Sequence, residues 1–152
     1  MTCIYLRLNR PESPEPWQEQ PDPRARPNLP GLTSILIAED NESVLEVTAR
    51  MLADAGFEVL VAPDGVAALD IIRNRERVDL LITDIRMPRM GGDELSRKAL
   101  ALNPDLPIIF VSGYPADWNS EAVARISRRH AFLRKPFTPD DLLRAIERIL
   151  SE

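Results

Sequence analysis

The sequence DLLITDIRMPRMGG at residues 79–92 begins with a run of apolar residues that leads into a carboxylate. Its first part, DLLIT, has the near-continuous apolar character of a strand that is buried on both faces. Asp84 follows directly, and Pro88 and the pair Gly91-Gly92 then indicate a turn. A carboxylate at this position can be a loop cap, a metal ligand or a nucleophile, so the surrounding sequence has to decide among the three.

Strand-like and helix-like segments alternate on both sides of this stretch. The predicted strands are SILIAED (34–40), FEVLVA (57–62), DLLIT (79–83), PIIFVS (107–112) and AFLRK (131–135). Periodic apolar residues predict helices over about 44–55, 64–76, 92–102, 117–129 and 138–152. The second helix is expected to open at Asp64, and the last at Thr138 with a capping-box partner in Asp141. Five strands alternating with five helices predict an α/β fold, a doubly wound five-stranded parallel sheet.

Composition limits the class of protein. The 152 residues are 44% hydrophobic, which suits one domain with an appendage. The net charge is −5, and residues 1–32 hold four acidic and four basic side chains, so the excess lies in residues 33–152. This acidic body argues against direct nucleic-acid binding. One cysteine excludes an internal disulfide, and no apolar run approaches the ~18 residues of a membrane span, so we expect a cytoplasmic protein without membrane contact.

The first 32 residues are expected to form a Pro-rich disordered segment before a domain over residues 33–152. Seven of the fourteen prolines lie between Pro11 and Pro30. Proline fixes φ and removes a hydrogen-bond donor, so this segment is unsuited to helix or sheet. Trp17 within it could anchor a partner, although a lone aromatic residue in a tail is the commoner case.

Polar side chains collect at the carboxyl ends of the predicted strands, where open α/β sheets bind ligands. The first strand ends on Glu39 and Asp40, the third on Asp84, the fourth on Ser112 and the fifth on Lys135. Taken singly, each is better explained as a cap, a turn residue or a solvated charge. Together they favour a site, because clustered carboxylates repel unless a cation joins them, and oxygen ligands suit Mg²⁺.

Four motifs at these strand ends resemble those of the receiver domains of two-component response regulators. They are ED at 39–40, DIRMPRMGG at 84–92, VSG at 111–113 and KPF at 135–137. Each is weak alone, but all four occur in order within residues 34–152. The resemblance implies a flavodoxin-like strand order of 2-1-3-4-5 and a cis peptide bond before Pro136.

The resemblance also implies how the signal is received and passed on. Asp84 would accept a phosphoryl group from a phosphohistidine on a histidine kinase or a histidine phosphotransfer protein. Lys135 and Ser112 would contact the phosphoryl oxygens. Ser112 and Phe132 would then act as switch residues and alter the face formed by the fourth helix, the fifth strand and the fifth helix, about residues 116–150.

A magnesium site and two tuning positions are implied in the same way. Asp40 and Asp84 would bind Mg²⁺ directly, together with the backbone carbonyl of Arg86, while Glu39 would act through water. Arg86 and Tyr114 flank the expected phosphoryl position and could shield it from water.

The expected protein is therefore a signalling module and not an enzyme, a stand-alone receiver that works by protein contacts. Its downstream protein partner is unknown, and a phosphorylation-dependent dimer is compatible with the family. SGYP at 112–115 also resembles receivers attached to hybrid histidine kinases. The alternatives are a phosphorylation-independent interaction module and a Mg²⁺-dependent phosphatase, although such enzymes carry an acidic residue where Arg86 stands. His130 is expected to be an exposed loop residue.

Overall fold

A computed structural model describes residues 33–74, 77–114, 117, 125 and 129–151. The strands and helices, numbered along the chain, are β1 Ser34–Ala38, α1 Glu42–Asp54, β2 Glu58–Ala62, α2 Gly65–Asn74, β3 Leu80–Asp84, α3 Gly92–Leu102, β4 Ile108–Ser112, β5 His130–Arg134 and α4 Pro139–Leu150. The predicted disordered segment 1–32 lies outside the described residues. So does the predicted helix over 117–129, apart from residues 117, 125 and 129.

The five strands form one parallel sheet in the order β2-β1-β3-β4-β5, which confirms the predicted fold. The register aligns the carboxyl ends of the strands, since Asp84 of β3 is level with Val111 of β4, and Ser112 of β4 with Arg134 of β5. Residues that follow the strands are therefore delivered to one edge of the sheet.

Helices cover both faces of the sheet. One buried cluster joins the sheet to α2 and α3, and the other joins it to α1 and α4. Neighbouring residues of a strand belong to different clusters: Leu36 packs with the first, whereas Ile35 and Ile37 pack with the second. This two-sided burial explains why the strands are almost continuously apolar.

Two helices begin at the predicted caps. The Asp64 carboxylate accepts a hydrogen bond of 2.8 Å from the backbone N–H of Ala67 at the start of α2. At α4, the backbone N–H of Asp141 donates to the Thr138 hydroxyl at 3.1 Å, and the Thr138 N–H donates to the Asp141 carboxylate at 3.0 Å. This capping box confirms the prediction for TPDD.

The cap of α1 differs from the alternative considered for the acidic pair. Asn41, and not Glu39 or Asp40, accepts the hydrogen bond from the Val44 N–H, at 3.1 Å. Because Asn41 satisfies the helix end, both carboxylates remain available at the sheet edge.

The fifth strand begins earlier than predicted. His130 is its first residue, is half-buried and meets the ring of Phe132 edge-on at 5.8 Å, so its assignment to an exposed loop was wrong. The reason is tertiary, since His130 is registered against Ile108 of β4. The Lys135-Pro136 bond that follows the strand is cis, as expected. Within the described ranges, no helix is long and apolar enough to cross a membrane.

Candidate functional site

Three charged side chains from three strand ends meet at the carboxyl edge of the sheet. Lys135 Nζ lies 2.7 Å from Glu39 Oε2 and 2.9 Å from Asp84 Oδ2. The exposed fractions of the side chains are 24% for Lys135, 6% for Glu39 and 12% for Asp84. The topology thus brings together residues up to 96 positions apart in the chain.

Burial and hydrogen bonding act in opposite directions on the pKa values of Glu39 and Lys135. Burial raises the pKa of Glu39 and outweighs the opposing hydrogen bonds from Lys135 and from the Asn41 N–H, while nearby Asp84 raises it further. Burial lowers the pKa of Lys135, but its hydrogen bonds to Glu39 and Asp84 outweigh this, so the net shift is upward. Lys135 is therefore held as a cation, and the cost of ionising Glu39 would fall if another cation were present.

Asp40 adds a third carboxylate on the solvent side. One oxygen from each of Glu39, Asp40 and Asp84 can be chosen so that all three lie within 4.8 Å of one another. Asp40 is exposed, whereas Glu39 is buried, so the cluster opens toward solvent on one side. Hard carboxylate oxygens on an open edge, with room for water ligands, fit Mg²⁺. The role of the Arg86 carbonyl as a ligand stays a prediction.

The loop after β3 packs tightly against the backbone of Asp84. A Cβ atom added to Gly92 would lie 2.3 Å from the Asp84 carbonyl oxygen, and one on Gly91 would lie 2.8 Å from that of Ile85. These contacts explain the paired glycines of the opening motif. The Arg86 N–H also donates to Asp84 Oδ1 at 3.3 Å, so Asp84 caps this turn as well as facing Lys135.

An ion pair also connects the loop after β3 to the start of α2. Arg89, which has a positive φ of 68°, forms an ion pair with the buried carboxylate of Asp64 at the start of α2. Gly65 lets this loop approach, because a Cβ atom there would lie 2.5 Å from the Met90 carbonyl oxygen. The predicted role of Asp64 was only to cap α2, and its ion pair with Arg89 is an additional role.

Ser112 lies at the end of β4, 1% exposed. Its backbone carbonyl accepts a hydrogen bond of 3.1 Å from the Lys135 N–H. Its hydroxyl donates to Asp117 Oδ2 at 2.5 Å and accepts from the Tyr114 N–H at 3.0 Å. Ser112 is therefore next to the charged group, but in this state its proton is directed to Asp117.

The two predicted tuning residues contact each other, and one of them binds the same carboxylate. Arg86 Nε and Nη2 lie 3.2 and 3.3 Å from the Asp117 oxygens, and the guanidinium lies 4.1 Å from the centre of the Tyr114 ring. The hydrogen bond with Asp117 is the main cause that raises the pKa of Arg86 above its usual value. Asp117 is not among the predicted site residues, because an acidic residue at the start of a predicted helix is ordinarily explained as a favourable first-turn charge.

The other predicted switch residue packs inside the protein. Phe132 is half-buried on β5, and its ring stacks on that of Phe110 with centroids 5.6 Å apart. A switching role for Phe132 stays a prediction.

The arrangement of these strand-end residues is that of a known protein family. The model of the response regulator receiver domain matches residues 35–147. The chain belongs to this family. The match includes every strand end described above, so this receiver carries its acidic group, serine and lysine within the part that defines the family.

Relatives of the receiver include both free-standing and attached domains. It is 38% identical to the response regulator receiver protein CpdR of Brucella abortus, over 76% of this chain and 95% of that protein. It is 34% identical to the sensor kinase CckA of the same organism over 82% of this chain, but this covers only 13% of CckA. A response regulator MprA of Mycobacterium, 37% identical, is covered over 50% of its length.

Solved structures of receiver domains have the same fold as this chain. A CheY-like receiver from Methanospirillum hungatei has a TM-score of 0.73 and 36% identity, covering 79% of this chain and 94% of that one. The receiver domain of the hybrid histidine kinase CckA has a TM-score of 0.65 and 36% identity, covering 77% and 98%. The chain is thus a receiver of two-component signalling, the class of module that accepts a phosphoryl group from histidine kinases and binds Mg²⁺ in an acidic pocket.

Proposed function

We propose that Asp84 is the phosphoacceptor of this receiver. The observation that supports this most strongly is the position of its carboxylate, which ends the central strand beside a lysine 2.9 Å away and a carboxylate cluster open to solvent. Asp84 oxygen attacks the phosphorus of a phosphohistidine, the O–P bond forms, and the P–N bond breaks with its electron pair returning to the imidazole.

The surrounding side chains neutralise and orient the transferred group. Lys135 holds a positive charge where the phosphoryl oxygens would arrive, and such charge neutralisation accounts for most catalysis of phosphoryl transfer. Glu39, Asp40 and Asp84 would hold Mg²⁺, which supplies further positive charge when bound. The loop packed on Gly92 keeps the Asp84 backbone fixed during the reaction.

The signal would leave through Ser112 and Phe132. The Ser112 hydroxyl would donate a hydrogen bond to a phosphoryl oxygen, and Phe132 would change its packing against Phe110. The affected face comprises β5, α4 and the predicted helix over 117–129. Its partner would be a protein in the cytoplasm, and a dimer that forms on phosphorylation would use the same face.

Arg86 and Tyr114 would set the lifetime of the phosphorylated state. The Arg86 backbone N–H donates to the Asp84 carboxylate, and the Arg86 guanidinium packs on the ring of Tyr114, so a movement of this pair over Asp84 would limit the approach of water. Arg86→Ala and Tyr114→Ala should each shorten the lifetime of the acyl phosphate. Unchanged rates of dephosphorylation in both variants would exclude this role.

The phosphoacceptor is tested with a small phosphodonor. Wild type incubated with Mg²⁺ and acetyl phosphate should gain a covalent phosphate that hydroxylamine removes, and the variant Asp84→Asn should gain none. Asp105→Asn, which removes the same charge near the opposite edge of the sheet, is the matched control and should label as wild type does. Failure of wild type to label would favour a phosphorylation-independent interaction module.

A further inference from the structure

One partly buried carboxylate beside the site has no part in the phosphoacceptor scheme. The side chain of Asp117 is 12% exposed and has two kinds of partner. It accepts a hydrogen bond of 2.5 Å from the Ser112 hydroxyl. It also accepts two hydrogen bonds from the guanidinium of Arg86, at 3.2 and 3.3 Å. Ser112 ends the neighbouring strand β4, and Arg86 lies two residues after Asp84 in the loop that follows β3.

Ser112 cannot serve Asp117 and a phosphoryl group at once. A hydroxyl has a single proton to donate, and here that proton goes to a carboxylate, which makes the bond charge-assisted. The Ser112 oxygen also accepts from the Tyr114 N–H, so the hydroxyl is held from two sides. Donation to a phosphoryl oxygen on Asp84 therefore requires the bond to Asp117 to break.

Arg86 is held in a similar way. The guanidinium lies over the ring of Tyr114, and its Nε and Nη2 atoms face Asp117. Its own backbone N–H contacts Asp84, so Arg86 lies next to the phosphoryl position while its guanidinium binds Asp117. A new negative charge on Asp84 would attract the same guanidinium.

We propose that Asp117 is a positioning residue that holds the receiver in its unphosphorylated state, by competing with a phosphoryl group on Asp84 for the Ser112 proton and the Arg86 cation. The inference rests on the proposed function of Asp84. A phosphoryl group carries more negative charge than a carboxylate, so it draws both partners away once it is present. Asp117 then loses its partners, and this change lies in the segment between β4 and β5 that leads to the signalling face.

The variant Asp117→Asn tests the competition, because it keeps the size of the side chain and removes its charge. The acyl phosphate, once formed with acetyl phosphate and Mg²⁺, should persist about tenfold longer than in wild type, the factor that one charge-assisted hydrogen bond provides. Asp117→Glu, which keeps the charge, should return the lifetime toward that of wild type. Asp105→Asn should leave the lifetime unchanged.

A double-mutant cycle separates positioning from general loosening of the structure. If Asp117 acts through Ser112, then Asp117→Asn should extend the lifetime by a clearly smaller factor in the Ser112→Ala background. Equal factors in the two backgrounds, or equal lifetimes of wild type and Asp117→Asn, would overturn the inference and leave the phosphoacceptor intact. Absence of any hydroxylamine-labile phosphate in wild type would overturn both.

Discussion

Replacing Lys135 by methionine removes the cation that contacts both Glu39 and Asp84. Coulomb's law at an effective dielectric constant of about 20 gives roughly 6 kcal/mol for each contact, at 2.7 and 2.9 Å. Desolvation of the three groups opposes this attraction, and removing one partner of a buried pair costs about 3–5 kcal/mol. We expect about 3 kcal/mol, at the lower end, because Lys135 is 24% exposed and Glu39 can take up a proton.

The assay is chemical unfolding at neutral pH, with EDTA or with excess Mg²⁺. In EDTA the variant Lys135→Met should lose about 3 kcal/mol of unfolding free energy, the cost of an unpaired buried charge. Mg²⁺ should restore more stability to the variant than to wild type, because it joins the same carboxylates that the lysine joined. Lys98→Met is the control, since Lys98 forms an exposed ion pair with Glu94 on α3 and should change stability by less than about 0.5 kcal/mol.

Two results would refute this reasoning. One is an equal loss of stability in Lys135→Met and Lys98→Met, which would mean that the buried contacts contribute no more than a surface pair. The other is an equal effect of Mg²⁺ on the variant and on wild type, which would mean that the metal does not join the carboxylates that Lys135 joins.

Two further predictions concern the loop and the last helix. Gly92→Ala should lower the unfolding free energy by about 3 kcal/mol, because its Cβ would lie 2.3 Å from the Asp84 carbonyl oxygen, whereas Gly113→Ala, with 3.8 Å to its nearest atom, should be nearly neutral in the same unfolding assay. The hydrogen bond from the Thr138 N–H lowers the pKa of Asp141, so its contribution to stability is complete above the ordinary pKa and disappears as pH falls through the lowered value. Wild type should therefore be more stable than Asp141→Asn in thermal unfolding at neutral pH, and a difference that persists in strong acid would contradict this.

The sheet and the charged group could be predicted because both follow from topology. Apolar runs of five residues, bounded by turn signals, identify strands buried on both faces, and parallel strands place their carboxyl ends along one edge. Convergence of Glu39 and Lys135 on that edge follows from this arrangement. Their contact at 2.7 Å depends on side-chain geometry, because β3 and β4 lie between β1 and β5. The glycines at 91 and 92 were likewise assigned to the loop after Asp84, although their close contacts required coordinates.

The remaining features depend on tertiary contacts that leave little local signal. His130 follows two arginines, and only its pairing with Ile108 makes it part of a strand. The cap of α1 at Asn41 could not be distinguished from its acidic neighbours by residue type, since Asp and Asn are equally good caps. Asp117 meets Arg86 across 31 residues and through a segment whose path the sequence does not specify.

Borohydride reduction identifies the residue that carries the phosphoryl group. Reduction converts an aspartyl phosphate to homoserine, which peptide mass spectrometry can locate after labelling with acetyl phosphate and Mg²⁺. If Asp84 is the phosphoacceptor, homoserine should appear at position 84 alone, in wild type and in Asp105→Asn, and should be absent from Asp84→Asn. Homoserine at position 39, 40 or 117, or a label that persists in Asp84→Asn, would contradict it.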